Sequence, residues 1–84
     1  MDAVTQEIFG VIKRNIVSIL PDLEGHAFDP SESLAQLGAN SVDRVEVVTY
    51  SMEELGLSIP RHELQGIQNL QGLIDVFARH RTGH

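Results

Sequence analysis

Apolar residues recur at steps of three and four positions in three separate stretches of this chain. That spacing places them on one face of an α-helix. The first stripe is Val4, Ile8, Val11, Ile12, Ile16, Ile19 and Leu20, the second is Val45, Val48, Met52 and Leu55, and the third is Leu70, Leu73, Ile74 and Phe77. No stretch alternates apolar and polar residues as a half-buried strand does. The pattern therefore predicts an all-α fold with three main helices.

Proline, glycine and capping residues predict where these helices begin and end. Pro21 ends the first helix, because a proline cannot continue the hydrogen-bond ladder. Pro60 suits the start of a short helical turn through Arg61–Leu64, which Gly66 limits. Asn69 is the expected N-cap of the last helix.

The second helix is predicted from about Ser41 to Leu55, and Gly56 ends it. Its valines are β-branched and lower its helical propensity, so a strand is the competing prediction. Glu53, Glu54 and the length of the apolar stripe favour the helix.

Residues 21–40 connect the first two helices and have the composition of turns. A loop of this length in a small domain needs contacts with the core, which Phe28, Leu34 and Leu37 are expected to supply. A short helical turn is expected around Ser33–Leu37. The sequence thus predicts a small four-helix bundle, with three main helices, one short helix and a long loop between helices one and two. We expect residues 1–84 to form a single domain.

Composition excludes several classes of function. The chain has no cysteine, so it has no disulfide framework, thiolate zinc site, iron–sulfur cluster or cysteine nucleophile. Twelve acidic residues against six basic ones give a net charge of −6, which disfavours nucleic acid and suits basic protein surfaces. Only His80 and His84 lie at a short ligand spacing, and no Gly-x-Ser-x-Gly motif occurs. We therefore expect neither a metal site nor a catalytic residue.

Neither a signal peptide nor a membrane span is recognisable in the sequence. Residues 1–20 carry Asp2, Glu7, Lys13 and Arg14 among the apolar positions. No apolar run approaches the ~18 residues of a membrane span. The sequence therefore predicts a cytoplasmic protein that does not bind membranes, and we expect a monomer.

The segment Leu34–Asp43 leads from the loop into the second helix and carries the clearest chemical signal. Gly38 permits a tight turn, and Asn40 or Ser41 can cap the free N–H groups of the helix. The Ser41 hydroxyl lies beside the positive end of the helix, where an attached phosphate is favoured. On local sequence alone, Ser41 as a simple N-cap remains the alternative.

This segment resembles a motif of acyl carrier proteins. Residues 37–43 read Leu-Gly-Ala-Asn-Ser-Val-Asp, similar to the family's Leu-Gly-Ala-Asp-Ser-Leu-Asp, in which the serine bears 4′-phosphopantetheine. The resemblance continues through Val45–Val48, Leu57–Pro60 and the last helix. It implies that Ser41 is the attachment site of an arm derived from coenzyme A. Asn40 and Val42 depart from the usual Asp and Leu, and Asn40 affects which phosphopantetheinyl transferase recognises the chain.

Residues 40–46, Asn-Ser-Val-Asp-Arg-Val-Glu, are similar to freestanding carriers of bacterial polyketide pathways. Within that group they resemble donor carriers of cassettes in which a hydroxymethylglutaryl (HMG) synthase-like enzyme installs β-branches. The resemblance implies a carrier of acetyl thioester that is not itself an enzyme. Its implied partners are a phosphopantetheinyl transferase, an acyltransferase, a ketosynthase-type decarboxylase and the HMG synthase-like enzyme. A fatty-acid or peptidyl carrier is the first alternative, and an unmodified helical adaptor that binds through helix two is the second.

Helix two has an acidic face that suits transient contacts with basic patches on partners. Asp43, Glu46, Glu53 and Glu54 against Arg44, four carboxylates and one guanidinium, give this face a net charge of −3. Val42, Val47 and Thr49 lie off the predicted inward stripe and are expected to add apolar contact. A solvated helix face, or core packing of the valines, is the alternative. The predicted docking residues are Asn40, Val42, Asp43, Arg44, Glu46, Val47, Thr49 and Glu53.

Overall fold

The computed structural model describes residues 1–82, with side chains for residues 1–81. His84, one of the two closely spaced histidines, lies outside the described residues. The elements are α1 (Ala3–Ile19), a 3₁₀ turn (Pro21–Leu23), α2 (Ser41–Leu55), α3 (Arg61–Leu64) and α4 (Leu70–Thr82). The predicted all-α bundle of three main helices and one short helix is confirmed, as is the long loop after α1.

The helices end where capping chemistry dictates. The Asp2 carboxylate accepts the Thr5 N–H at 2.8 Å and caps α1. Gly56 ends α2 in the left-handed conformation with φ of 69°, which a residue with a Cβ rarely adopts. The Asn69 side-chain oxygen accepts the Gly72 N–H at 2.9 Å, so the predicted N-cap of α4 is confirmed.

The core lies between α1, α2 and α4. Its buried apolar side chains are Ile8, Phe9, Ile12 and Ile16 of α1, Val47 of α2, Ile59 before α3, and Leu70, Leu73, Ile74, Val76 and Phe77 of α4. These residues include the whole predicted stripe of the last helix and three of the seven residues of the first stripe. Val4, Ile19 and Leu20 of the first stripe pack against the core while partly buried. Burial of those stripes is the main force that holds the bundle together.

The inward face of α2 differs from the prediction at two positions, while Val48, Met52 and Leu55 pack against the core as predicted. Val45 is 63% exposed, whereas Val47 is fully buried in the core. Valines occupy positions 42, 45, 47 and 48, so apolar residues surround most of the helix and do not single out one face. Packing against α1 and α4 decides the rotation of α2, and it selects Val47 and Ser51 as the enclosed residues.

The loop of residues 21–40 is held by the core and by the start of α4. Phe28, Leu34 and Leu37 are half-buried against the core, as predicted. The Glu32 carbonyl accepts the Leu70 N–H and the Pro30 carbonyl accepts the Gln71 N–H, both at 2.8 Å. The loop therefore caps the first turn of a helix that follows it by some thirty residues.

The helical turn expected around Ser33–Leu37 is confirmed as one turn only. The Leu37 N–H reaches the Ser33 carbonyl at 3.1 Å, and Gly38 then turns the chain at φ of 99°. The Ser33 hydroxyl oxygen accepts the Gln36 N–H at 3.0 Å, which supports the turn from within.

Charged side chains join the elements at the surface. Glu54 of α2 pairs with Arg14 of α1, and Glu7 of α1 pairs with Arg81 of α4 at 3.0 Å. Glu63 ties the short α3 to α4 through His80 at 2.7 Å, and Arg79 also contacts it at 3.4 Å. Among the described residues, no helix combines the length and apolar character needed to cross a membrane.

Candidate attachment site and docking face

Ser41 is the first residue of α2 and its side chain is exposed. The chain turns at Gly38, three residues before Ser41. Ala39, which follows Gly38, is buried with 7% exposure. The Ala39 N–H donates to the Leu34 carbonyl at 3.0 Å. Ala39 thus fixes the turn that presents Ser41, a role that the motif alone did not reveal.

A capping box fixes the start of α2. The Asn40 side-chain oxygen accepts the Asp43 N–H at 2.8 Å, and the Asp43 carboxylate accepts the Asn40 N–H at 3.1 Å. The prediction that Asn40 or Ser41 caps the helix is thus resolved in favour of Asn40. Since an amide oxygen makes this bond as well as a carboxylate does, Asn40 preserves the local shape.

The Ser41 hydroxyl is left for other chemistry because Asn40 performs the capping. Its Oγ accepts a hydrogen bond from Nη2 of Arg44, one turn along α2, at 3.3 Å. Within the described part of the chain, the backbone N–H groups of Ser41 and Val42 have no acceptor. An exposed hydroxyl beside free N–H donors, a helix N-terminus and a guanidinium fits a phosphodiester attached at that oxygen.

The structure brings most of the predicted docking residues together on the surface of α2. Asn40, Val42, Arg44, Thr49 and Glu53 are exposed. Asp43 and Glu46 are half-buried, and Asp43 is engaged in the capping box.

Val47 does not belong to this surface, contrary to the prediction. Its side chain is fully buried in the core and is not part of the exposed surface of α2. Val45, which was assigned to the interior, is exposed beside Val42 and takes its place as an apolar surface residue. The exchange follows from the rotation of α2 described above.

A groove of about 730 Å³ opens beside α2. It lies between α2, α3, the loop at residues 33–35 and the start of α4, and its apolar wall includes Val45, Val48, Met52, Leu64, Ile67 and Leu73. Three of the four residues of the predicted inward stripe of helix two therefore line the groove. Val48, Met52 and Leu55 also pack against the core, as predicted, and only Val45 of this stripe is exposed.

Comparisons with known proteins show which proteins this chain is similar to. The family model described as "Phosphopantetheine attachment site" matches residues 11–77. The polyketide biosynthesis acyl-carrier-protein AcpK of Bacillus subtilis is 49% identical over 71 residues, which cover 84% of this chain and 87% of that protein. Acyl carrier protein 1, chloroplastic, of Cuphea lanceolata is 30% identical over 80 residues, covering 93% of this chain and 54% of that protein.

A solved structure has the same fold over nearly the whole chain. It is the crystal structure of the curacin biosynthetic pathway HMG synthase in complex with acetyl donor-ACP. The matched chain superposes with a TM-score of 0.82 at 40% identity, covering 93% of this chain and 97% of its own length. Because nearly all of both chains is covered, the matched chain is of carrier size. This chain therefore belongs to the acyl carrier protein family, whose members are carriers and not catalysts and bear a 4′-phosphopantetheine group.

Proposed function

We propose that this chain carries an acetyl group as a thioester on a phosphopantetheine arm at Ser41, and that it donates the group to an HMG synthase-like enzyme. The main support is the similarity, at 40% identity and over nearly the full length, to the matched chain of the structure of an HMG synthase in complex with acetyl donor-ACP. The 49% identity to a polyketide carrier supports the same type of pathway. Residues 1–84 act in this proposal as one carrier domain.

The residues of the chain present the group and do not activate it. Ser41 supplies the oxygen that becomes the phosphate ester, and the capping box of Asn40 and Asp43 holds it at a fixed helix start. The arm, when bound, supplies the terminal thiol that holds the acetyl group. Partner enzymes form and cleave the thioester, so the carrier itself needs no general base or oxyanion hole.

The exposed face of α2 is the proposed docking surface. Val42 and Val45 are 65% and 63% exposed, next to Ser41 and flanked by Glu46 and Glu53. An apolar centre with an acidic rim suits a partner whose entrance is basic at its edge. The proposed partners are a phosphopantetheinyl transferase, an acyltransferase, a ketosynthase-type decarboxylase and the HMG synthase-like enzyme.

The first experiment tests attachment. The purified chain and Ser41→Ala are incubated with coenzyme A and a broad-specificity phosphopantetheinyl transferase, and intact masses are measured. We expect a gain of one phosphopantetheine on the wild-type chain alone. No gain with several transferases would favour an unmodified adaptor that binds through α2.

The second experiment tests the cargo. Acetyl-loaded carrier is mixed with an HMG synthase-like enzyme and a β-ketoacyl group on a second carrier, and the acyl groups are identified by mass. We expect transfer from wild type and none with Ser41→Ala. Equal transfer from a fatty-acid carrier would remove the specific donor role and leave the more general carrier function.

A further inference from the structure

Basic side chains are scarce in this chain, and most of them are engaged. Arg14, Arg79 and Arg81 each pair with a glutamate, and the Lys13 ammonium lies 4.4 Å from the centroid of the Phe9 ring. Within the described residues, Arg44 and Arg61 are the two Lys or Arg side chains that have neither a carboxylate partner nor an aromatic ring contact. Both line the groove beside α2.

Arg44 is the one of this pair that reaches the candidate attachment site. Its polar contact in the structure is the bond from Nη2 to Ser41 Oγ, 3.3 Å long. The neighbouring carboxylate, Asp43, does not neutralise it, because that side chain accepts the Asn40 N–H in the capping box. A guanidinium without a carboxylate, in a chain of net charge −6, thus lies against the hydroxyl that is to be esterified.

We propose that Arg44 binds the phosphate of the phosphopantetheine group on Ser41 and so holds the base of the arm at the mouth of the groove. This inference rests on the proposed attachment at Ser41. Oγ becomes the ester oxygen, and the non-bridging phosphate oxygens lie only two bonds from it. A guanidinium that already reaches Oγ also reaches one of them, and its planar donors suit a phosphodiester.

Arg44 is therefore a positioning residue. It forms no bond to the acyl group, and its effect is on where the arm leaves the protein. Because Arg44 also lines the groove, this contact holds the base of the arm where the groove opens beside Val45 and Val48.

The test uses phosphorus NMR of the loaded protein. Wild type, Arg44→Gln, Arg44→Lys and Arg61→Gln are loaded, and intact mass confirms one arm on each. The reference is the phosphodiester resonance of loaded wild type unfolded in urea. Arg61→Gln is the matched control, because it removes the same charge from the same groove.

We expect wild type and Arg61→Gln to share a resonance displaced and broadened relative to the unfolded reference. Arg44→Gln should move most of the way to that reference, and Arg44→Lys should lie between, since it keeps the charge and loses the planar fork. A resonance of Arg44→Gln that coincides with wild type would overturn the proposal. Equal shifts for Arg44→Gln and Arg61→Gln would also overturn it, because the effect would then be one of net charge.

A measurement on the wild-type chain alone covers the case in which a variant folds or loads poorly. The side-chain Nε–Hε signals of Arg44 and Arg61 are compared before and after loading. We expect the Arg44 signal to shift and the Arg61 signal to stay in place, and an unchanged Arg44 signal refutes the contact. If intact mass shows no arm on wild type, the proposed function itself fails, and the two failures are thereby distinguished.

Discussion

Ser51 places a hydroxyl group in the buried interior of the bundle. Its side chain is fully buried within α2, and its Oγ has no hydrogen-bond partner among the described residues. A buried polar group without a partner costs about 1–3 kcal/mol of desolvation free energy. The residue therefore subtracts from the stability of the bundle.

Replacing Ser51 by alanine should raise the free energy of unfolding by about 1 kcal/mol, because the unpaired hydroxyl is removed and only a small volume is lost. Urea denaturation measures this as a higher midpoint at an unchanged slope. Ser18→Ala, at an exposed position of α1, controls for the helical propensity of alanine and should give less than about half as much. A loss of stability in Ser51→Ala would mean that the hydroxyl is bonded.

The Asn40 cap sets a second residue-scale prediction. Asn40→Ala should lower the free energy of unfolding by about 1 kcal/mol, since the Asp43 N–H loses its acceptor. Asn40→Asp restores the usual residue of the family and should stay within a few tenths of wild type. Thermal or urea unfolding of the three chains distinguishes them, and an Asn40→Asp chain as weak as Asn40→Ala would remove the capping interpretation.

At the scale of elements, the short α3 depends on side-chain contacts with α4. Glu63 receives His80 at 2.7 Å and Arg79 at 3.4 Å, and both partners belong to the last turns of α4. The hydrogen bond from His80, followed by the charges of His80 and Arg79, holds the pKa of Glu63 below its usual value. The contact therefore favours the ionised carboxylate of the folded chain.

The pH dependence of this contact follows from the direction of the shift. A carboxyl whose folded pKa is depressed adds stability above its unfolded pKa and loses it as pH falls through the folded value. The stability difference between wild type and Glu63→Gln should therefore shrink from about pH 5 to about pH 2. Urea unfolding across that range measures it, and Glu53→Gln controls for the loss of one negative charge. A difference that grows on acidification would contradict the prediction.

Helix positions were predictable from sequence, while the rotation of one helix was not. Pro21, Gly56 and Asn69 act locally, so they reveal the ends of α1, α2 and α4 without knowledge of the fold. The facing of α2 depends on which neighbours it meets, and its ring of valines leaves that open. Val45 and Val47 exchanged roles for this reason. The hydrogen bonds that Leu70 and Gln71 donate to the loop could not be predicted either, because they join backbone groups that carry no sequence signal.

At the scale of the whole molecule, the net charge of −6 governs encounters with partners. Glu46 lies half-buried on the proposed docking face and has no ionic partner among the described residues. Reversing it in Glu46→Lys should slow association with the proposed HMG synthase-like partner by about tenfold at low salt, because steering toward a basic entrance is lost.

Surface plasmon resonance at two salt concentrations measures this effect, which should shrink as salt screens the charges. Glu24→Lys makes the same charge change in the exposed loop and serves as the control. Asp2 is less suitable, since its carboxylate caps α1. Equal slowing by Glu46→Lys and Glu24→Lys would show that net charge matters and the docking face does not.

The candidate site could be predicted from the sequence because its residues lie within one short segment. Gly38, Asn40 and Ser41 lie within four consecutive positions. Their roles as turn, helix cap and candidate attachment residue depend on local backbone structure and not on distant contacts. The groove, and the lack of a carboxylate partner for Arg44, could not be predicted in this way. The groove is formed by segments far apart in the chain, and the unpaired state of Arg44 is visible only once the partners of the other cations are known.

Glu7 and Arg81 share an ion pair although they stand 74 positions apart in the chain, so the first and last helices are held side by side. In a circular permutant, a short linker would join α4 to α1, and the new chain ends would lie at the exposed Gly25. This rearrangement would leave the contacts between the helices in place. The order in which the helices are synthesised is thus separable from the way they pack. In such a rearranged chain, the serine-bearing helix would be made first and the present first helix last, while the attachment surface itself stayed the same.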